Sequence, residues 1–293
     1  MTNFIKKTNF IKFQAMGNDF LIVMVEDVTR ASETPDLARR MCSRAFGAGA
    51  DGLILVDQKG DQNGGQGARF SSRVFNSDGS EAEISGNGTR CVAAYLIWSG
   101  LASGPDLDVG TAAGIKHCAL ISRDGPRFEF RIDMGTPELR SDRIPVTMEP
   151  PAESVVDQEL DVNGEQVRFT AASMGNPHCC LFVDDLSDAI FSRLGPAIES
   201  HPRFPNHTNV EFIRPISHSE IEIRIWERGA GPTLSSGTGS CASVVASVLN
   251  RKTSRRVRVH TAGGILEVFW ADDGHIWLTA SAEAVYRGQW LLD

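Results

Sequence analysis

The sequence predicts an α+β (α/β) fold of two pseudo-symmetric domains, each a curled, mostly antiparallel sheet around a central helix. Three observations carry that prediction. First, VFNSDGSEAEISGNGTRCVAAYLIWSG from Val74 and RIWERGAGPTLSSGTGSCASVVASVLN from Arg224 share one plan. In each, a strand-like run reaches a polar turn, a Ser-Gly-X-Gly loop and then a small, apolar helical stretch. Phe75 and Trp226, Asn76 and Glu227, Ser85 and Ser236, Gly86 and Gly237, Gly88 and Gly239 are separated by one constant interval. Second, Met16-Gly17-Asn18 and Met174-Gly175-Asn176 repeat in the same order, ahead of the apolar runs LIVMV and CCLFV. Two repeated blocks in one order indicate a duplicated domain. Third, the remainder of each half breaks into short strand-like runs around one strongly apolar helix.

A chain of 293 residues accommodates two domains, each with its own core. We place the first at 1–130 plus about 280–293 and the second at 131–279. With 41% hydrophobic and 23% charged residues the composition is that of a globular protein. No apolar run reaches bilayer length and Met1–Lys12 lacks a signal-peptide core, so a cytoplasmic protein with no membrane partner is expected. A net charge of −8 argues against a nucleic-acid partner. The basic run Arg251, Lys252, Arg255, Arg256, Arg258 reads as a solvated turn before VRVH. The six cysteines show no Cys-x-x-Cys spacing, so neither a metal site nor a disulfide framework is expected.

Taken in order, TNFIK occurs at Thr2 and again at Thr8, the first copy reading as an extension. Phe10–Phe13 leads to the Met16-Gly17-Asn18 turn, and LIVMV reads as a buried strand. Leu37–Phe46 has helical spacing; GAGADG is a turn before LILV; DQNGGQG at Asp61–Gly67 reads as a hairpin tip. RFSSRVFN alternates as a strand does and delivers the first loop-helix unit. The strands LDVGTAAG, HCALIS and FEFRIDMG close the first half. In the second half, ELDVNGEQVRFTAAS precedes Met174, a polar segment runs through His201, and IEIRIW reaches the second loop-helix unit. VRVHTAGGILEVFW and the residues after it are strand-like.

The two loops suggest a ligand. Glycines allow close backbone approach, and the unpaired N–H groups of a helix start attract a carboxylate or phosphate. Two such loops facing each other across a pseudo-twofold cleft are expected to grip one small anion.

The blocks MGNDFLIV, FGAGADGLILV, FNSDGSEAEISGNGTRC, TAAG, MGNPHC, TNVEF, ERGAGPTLSSGTGSC and AGGILEV run in the order of diaminopimelate epimerase, which the chain resembles over essentially its whole length. The resemblance implies two similar α/β domains with the active site between them, no cofactor, a homodimer, and interconversion of LL- and meso-2,6-diaminopimelate for lysine and peptidoglycan synthesis. It assigns substrate contacts to Asn18, Asn76, Asn176 and Asn209, and to the loop residues Gly86, Asn87, Gly88, Gly237 and Thr238. It places Arg228 on the distal carboxylate, where a planar guanidinium binds bidentately, and Glu227 on the distal ammonium. His178 reads either as a base or as a residue that orders the site.

The chain departs from the family at two positions. Where the family carries its two acid/base cysteines, this sequence has Ser85 and Ser236. A thiol of pKa about 8.5 can exchange an α-proton, whereas a serine alkoxide is essentially absent near neutral pH. Cys91 and Cys241 lie too far round their helices to substitute and read as core residues. An impaired epimerase is therefore expected. The alternatives are a divergent isomerase or dehydratase of the same fold, or a non-catalytic amino-acid-binding protein.

Overall fold

The computed structural model describes residues 6–28, 34–58, 68–82, 85–112 and 114–292. The expected hairpin tip at Asp61–Gly67 and the first TNFIK copy up to Ile5 lie outside the described residues. The chain forms two compact units, Met1–Ile132 with Ala280–Asp293, and Asp133–Thr279.

The first unit comprises β1 (Lys6–Ala15), β2 (Asn18–Met24), α1 (Thr34–Cys42), β3 (Gly52–Asp57), β4 (Phe70–Asn76), β5 (Glu81–Ala82), α2 (Gly86–Trp98), β6 (Asp106–Thr111), β7 (Gly114–Asp124) and β8 (Arg127–Asp133). The second comprises β9 (Val155–Val162), β10 (Glu165–Ser173), β11 (Pro177–Phe182), α3 (Asp188–Glu199), β12 (Asn209–Ser217), β13 (Glu220–Glu227), β14 (Gly231–Thr233), α4 (Gly237–Leu249), β15 (Arg256–Thr261), β16 (Gly264–Trp270) and the start of β17 (Ile276–Leu292). From β1 and from β10, the two units run through the same order of strands and helices.

Pairing repeats with that order. The pairs β2–β3 and β11–β12 are parallel, joined through α1 and α3. The pairs β4–β6 and β13–β15 are parallel, joined through α2 and α4. Parallel neighbours need such crossovers, and a helix supplies them. Other pairs, such as β3–β4, β12–β13, β6–β7 and β15–β16, are antiparallel hairpins.

Both second helices are apolar almost all round, as a helix enclosed by a sheet must be. Cys91, Val92, Ala93, Ala94 and Leu96 of α2 are buried, as are Cys241, Ala242, Val244, Val245 and Ala246 of α4. The buried Ser240, Ser243 and Ser247 of α4 each donate their hydroxyl to the carbonyl four residues earlier, at 2.7, 2.8 and 2.7 Å. Small side chains thus let α4 sit tightly in the sheet without leaving a hydroxyl unsatisfied.

Two local expectations differ from what is observed. The helical spacing read to Phe46 stops at Cys42, and Phe46 sits in a turn, 92% exposed. The polar segment before His201 contains α3, whose Phe191, Leu194 and Ile198 enter the core of the second unit. Gly195-Pro196 disguises this helix. A Cβ at Gly195 would lie 2.8 Å from the Trp226 ring, so that glycine is set by packing against β13 rather than by a turn.

Candidate functional site

In the first unit, Met16 and Gly17 both have positive φ (57° and 84°), making the two-residue turn that joins β1 to β2 and sets Asn18 at the first position of β2. The Asn18 amide Nδ2 donates to Asp51 Oδ2 at 2.8 Å, and its Oδ1 accepts from Asn87 Nδ2 at 3.3 Å. Asn87 Oδ1 in turn accepts from the buried Arg90 guanidinium. Asp51 belongs to an ionic cluster. Arg44 Nη2 lies 2.9 Å from Asp19 and 2.7 Å from Asp51, and Lys12 Nζ lies 2.6 Å from Asp19. Burial alone would raise the Asp19 carboxyl, but hydrogen bonds from Arg44 and Lys12 outweigh it and hold the group below its ordinary range.

Ser85 is the N-cap of α2. Its backbone is extended, and its Oγ accepts the Gly88 N–H at 3.0 Å. Gly88 therefore spends its N–H on the cap, leaving Gly86 and Asn87 as the first-turn donors without an intrahelical partner. Asn76, at the exposed end of β4, donates to Ser80 Oγ at 2.9 Å and takes no part in the Asn18–Asn87 chain.

In the second unit a three-residue loop replaces the two-residue turn, since Ser173 pairs directly with Pro177. Asn176 lies in this loop. Its Nδ2 donates to Thr238 Oγ1 at 3.5 Å and its Oδ1 lies 2.9 Å from His178 Nε2. On the other side of the ring, His178 Nδ1 lies 2.7 Å from Glu211 Oε1. Ser236 caps α4 as Ser85 caps α2: its Oγ accepts the Gly239 N–H at 3.2 Å and lies 3.4 Å from Thr238 Oγ1. Asn209, the first residue of β12, donates to Pro177 O at 2.8 Å and accepts the Arg228 N–H at 3.0 Å. The Arg228 guanidinium reaches Asn206 O at 3.0 Å, and Arg228 is exposed. Burial pushes the Glu227 carboxyl up, and the neighbouring Ser236 hydroxyl and His178 ring offset this only in part.

The structure thus gathers Asn18, Ser85, Gly86, Asn87 and Gly88 in one unit, and Asn176, His178, Glu227, Ser236, Gly237 and Thr238 in the other, with Asn209 bonded to the Arg228 backbone. Sequence reading missed three contributors. Asp51 orients Asn18. Glu199 of α3 holds the loop that carries Glu227 and Arg228, through Trp226 Nε1 at 2.7 Å and the Gly229 N–H at 2.8 Å. Glu211 binds His178; its signal was an acid set inside the otherwise apolar strand NVEFI. Cys91 and Cys241 are fully buried, and burial pushes the Cys91 thiol up to about 12.

The sequence profile of diaminopimelate epimerase matches residues 11–140 and 170–286. A diaminopimelate epimerase of Moorella thermoacetica is 45% identical over 286 residues, covering 97% of this chain and 100% of that one. One of Desulfitobacterium hafniense is 46% identical over 287 residues, covering 97% and 98%. The chain belongs to the diaminopimelate epimerase family. Among solved structures it is similar in fold to a Bacillus anthracis phenazine biosynthesis protein of the PhzF family (TM-score 0.68, 17% identity, 98% of this chain and 100% of that one). It is likewise similar to a probable proline racemase of Agrobacterium radiobacter (TM-score 0.66, 16% identity, 98% and 92%). The family is therefore shown by sequence, and the mixed, sheet-dominated fold by both comparisons.

Within the family the chain is an isomerase relative. Among the described residues no group of three or more His, Cys, Asp and Glu side chains is placed to hold a metal ion. No helix among them is long and apolar enough to cross a membrane.

Proposed function

We propose that the chain binds 2,6-diaminopimelate and interconverts its LL and meso forms without a cofactor, as a cytoplasmic homodimer serving lysine and peptidoglycan synthesis. Ser85 and Ser236 stand at the two proton-transfer positions, and turnover is far below that of a thiol pair. The observation that carries this reading is the matched capping geometry. Each serine is the residue before a buried helix, with its oxygen already receiving an N–H of the first turn.

Epimerisation requires one group to take the α-proton and another to return a proton to the opposite face of the same carbon. The electron pair left behind spreads onto the α-carboxylate. The unpaired first-turn N–H groups of a helix start, such as Gly86 and Asn87 of α2 or Gly237 and Thr238 of α4, are donors suited to stabilise it, with the positive end of the helix dipole behind them. That part of the machinery belongs to the backbone and does not depend on sulfur. The acid/base pair does. A hydroxyl gives up its proton far less readily than a thiol, and losing a general base costs about 10²–10⁴-fold. Arg228 and Glu227, adjacent at the end of β13, supply opposite charges for the distal carboxylate and ammonium.

Incubation with LL-diaminopimelate, with chiral separation of the meso product and calorimetric measurement of binding, tests the proposal. Binding with slow meso formation is expected. Binding with no meso formation supports the non-catalytic amino-acid-binding alternative, and absence of binding at millimolar ligand overturns the assignment.

A further inference from the structure

The two units place different chemistry on equivalent backbone. In the first, β2 and β3 pair Phe20 with Gly52 and Ile22 with Ile54; in the second, β11 and β12 pair His178 with Asn209 and Cys180 with Glu211. Ile54 lies under the α2 start, where a Cβ at Gly88 would be 3.2 Å from its Cδ1. Glu211 lies under the α4 start, where a Cβ at Gly239 would be 2.9 Å from its Oε1. Phe20, Ile22 and Ile54 are buried, and His178, Cys180 and Glu211 are all 0% exposed. One unit thus fills these positions with hydrocarbon and the other with an imidazole, a thiol and a carboxyl.

Stability does not account for the polar set. Burying an acid beside an imidazole costs desolvation that apolar residues of similar volume avoid, and the first unit shows that apolar residues serve the same fold. What the pair does is directional. Both ring nitrogens of His178 face oxygens, Glu211 Oε1 at 2.7 Å and Asn176 Oδ1 at 2.9 Å, the arrangement of a ring that donates on both sides. The Asn176 oxygen is thereby pinned inward and its NH₂ is turned outward, toward Thr238. Asn18 is locked the other way: Asp51 holds its NH₂ and its oxygen faces Asn87.

We propose that Glu211 is a positioning residue for ligand binding: through His178 it fixes the Asn176 carboxamide so that this asparagine presents a donor to a substrate carboxylate. This rests on the reading of the site as a diaminopimelate site. His178, with both nitrogens engaged, is then an orienting group and not a free base. Without the charge on Glu211 the ring holds one proton, at Nδ1. Its Nε2 becomes an acceptor, and the Asn176 amide turns over, presenting oxygen where the carboxylate sits.

The experiment uses the full chain labelled with ¹⁵N. Long-range ¹H–¹⁵N spectra of ligand-free protein near neutral pH report both His178 nitrogens, assigned by difference with His178→Gln. Both nitrogens are expected to be protonated in the wild type. Glu211→Gln should remove the Nε2 proton and weaken diaminopimelate binding about tenfold or more. Asn176→Asp, at a partly exposed loop position, should weaken it similarly by replacing the outward donor with an acceptor, and this variant decides the matter if Glu211→Gln does not fold. A singly protonated wild-type ring, unchanged affinity in Asn176→Asp, or unchanged affinity in folded Glu211→Gln would each overturn the proposal. If the wild type binds no diaminopimelate, the functional reading falls, and the ring-nitrogen measurement still decides whether Glu211 holds His178 doubly protonated.

Discussion

The half-site of the first unit is steered from its surface, and that of the second from its interior. Asn18 takes its orientation from Asp51, which sits in a cluster with Arg44, Asp19 and Lys12, where Arg44 is well exposed. Asn176 takes its orientation from His178 and Glu211, both without solvent contact. The capping serines, the parallel crossovers and the enclosed helices do not account for this difference, because both units share them. A duplicated backbone can keep its capped helix starts while the side chains beneath them diverge, and the divergence leaves the two units with different polar groups at equivalent positions.

Glycine substitutions break the comparison most sharply. Gly239→Ala puts a methyl 2.9 Å from the buried Glu211 Oε1, which is tied to His178 and cannot retreat freely. Gly88→Ala meets Ser85 and Ile54 at 3.1 and 3.2 Å, where small shifts suffice. Chemical denaturation should show Gly239→Ala losing about 1–3 kcal/mol and Gly88→Ala distinctly less. Equal losses would mean that the carboxylate under α4 is no more constrained than the isoleucine under α2.

The caps should behave alike. Ser85→Ala and Ser236→Ala each remove one acceptor for a first-turn N–H, and each should cost about 1 kcal/mol in the same assay. A large inequality would show that Thr238, 3.4 Å from Ser236 Oγ, shares the capping of α4.

The smallest expected effect is a pair of opposite pH dependences. Asp19 is held below its ordinary 3.8, so it contributes stability above that value which is lost as pH falls through its folded value. Asp19→Asn should therefore be destabilised at neutral pH and converge with the wild type in strong acid. Glu227 is raised above 4.5, so its contribution is present below that value and lost as pH rises through its folded value. Glu227→Gln should melt higher than the wild type at neutral pH, with the advantage vanishing below pH 4.5. Parallel pH curves for the two variants would remove the contrast between a compensated and a partly compensated carboxyl.

Much of this fold is legible in the sequence because its strongest signals are local. Ser-Gly-X-Gly before an apolar run announces a capped, enclosed helix, and Met-Gly-Asn between strand-like runs announces a turn. The helix α3 lies in the stretch read as a polar segment; it contains a glycine and a proline, and the Trp226 ring explains the glycine. Within the half-sites, Asn18 and Asn176 are visible beside their glycines. Their partners are not. Asp51 and Glu211 are brought to them by parallel strand pairing across a helical crossover, which no residue beside either asparagine announces. Glu211 carried a signal only as an acid in an apolar strand, and such an acid reads equally as an edge residue until its burial is known.

The proposal that Ser85 and Ser236 stand at the two proton-transfer positions is open to direct test. Its most direct measurement is incorporation of deuterium at the α-carbon of diaminopimelate in heavy water, compared between the wild type and Ser85→Cys/Ser236→Cys. The account predicts similar binding of the ligand by both proteins and exchange at least about 10²-fold faster in the double-cysteine form. Equal exchange rates at equal binding would contradict it, because the proton would then be moved by groups other than the two cap residues.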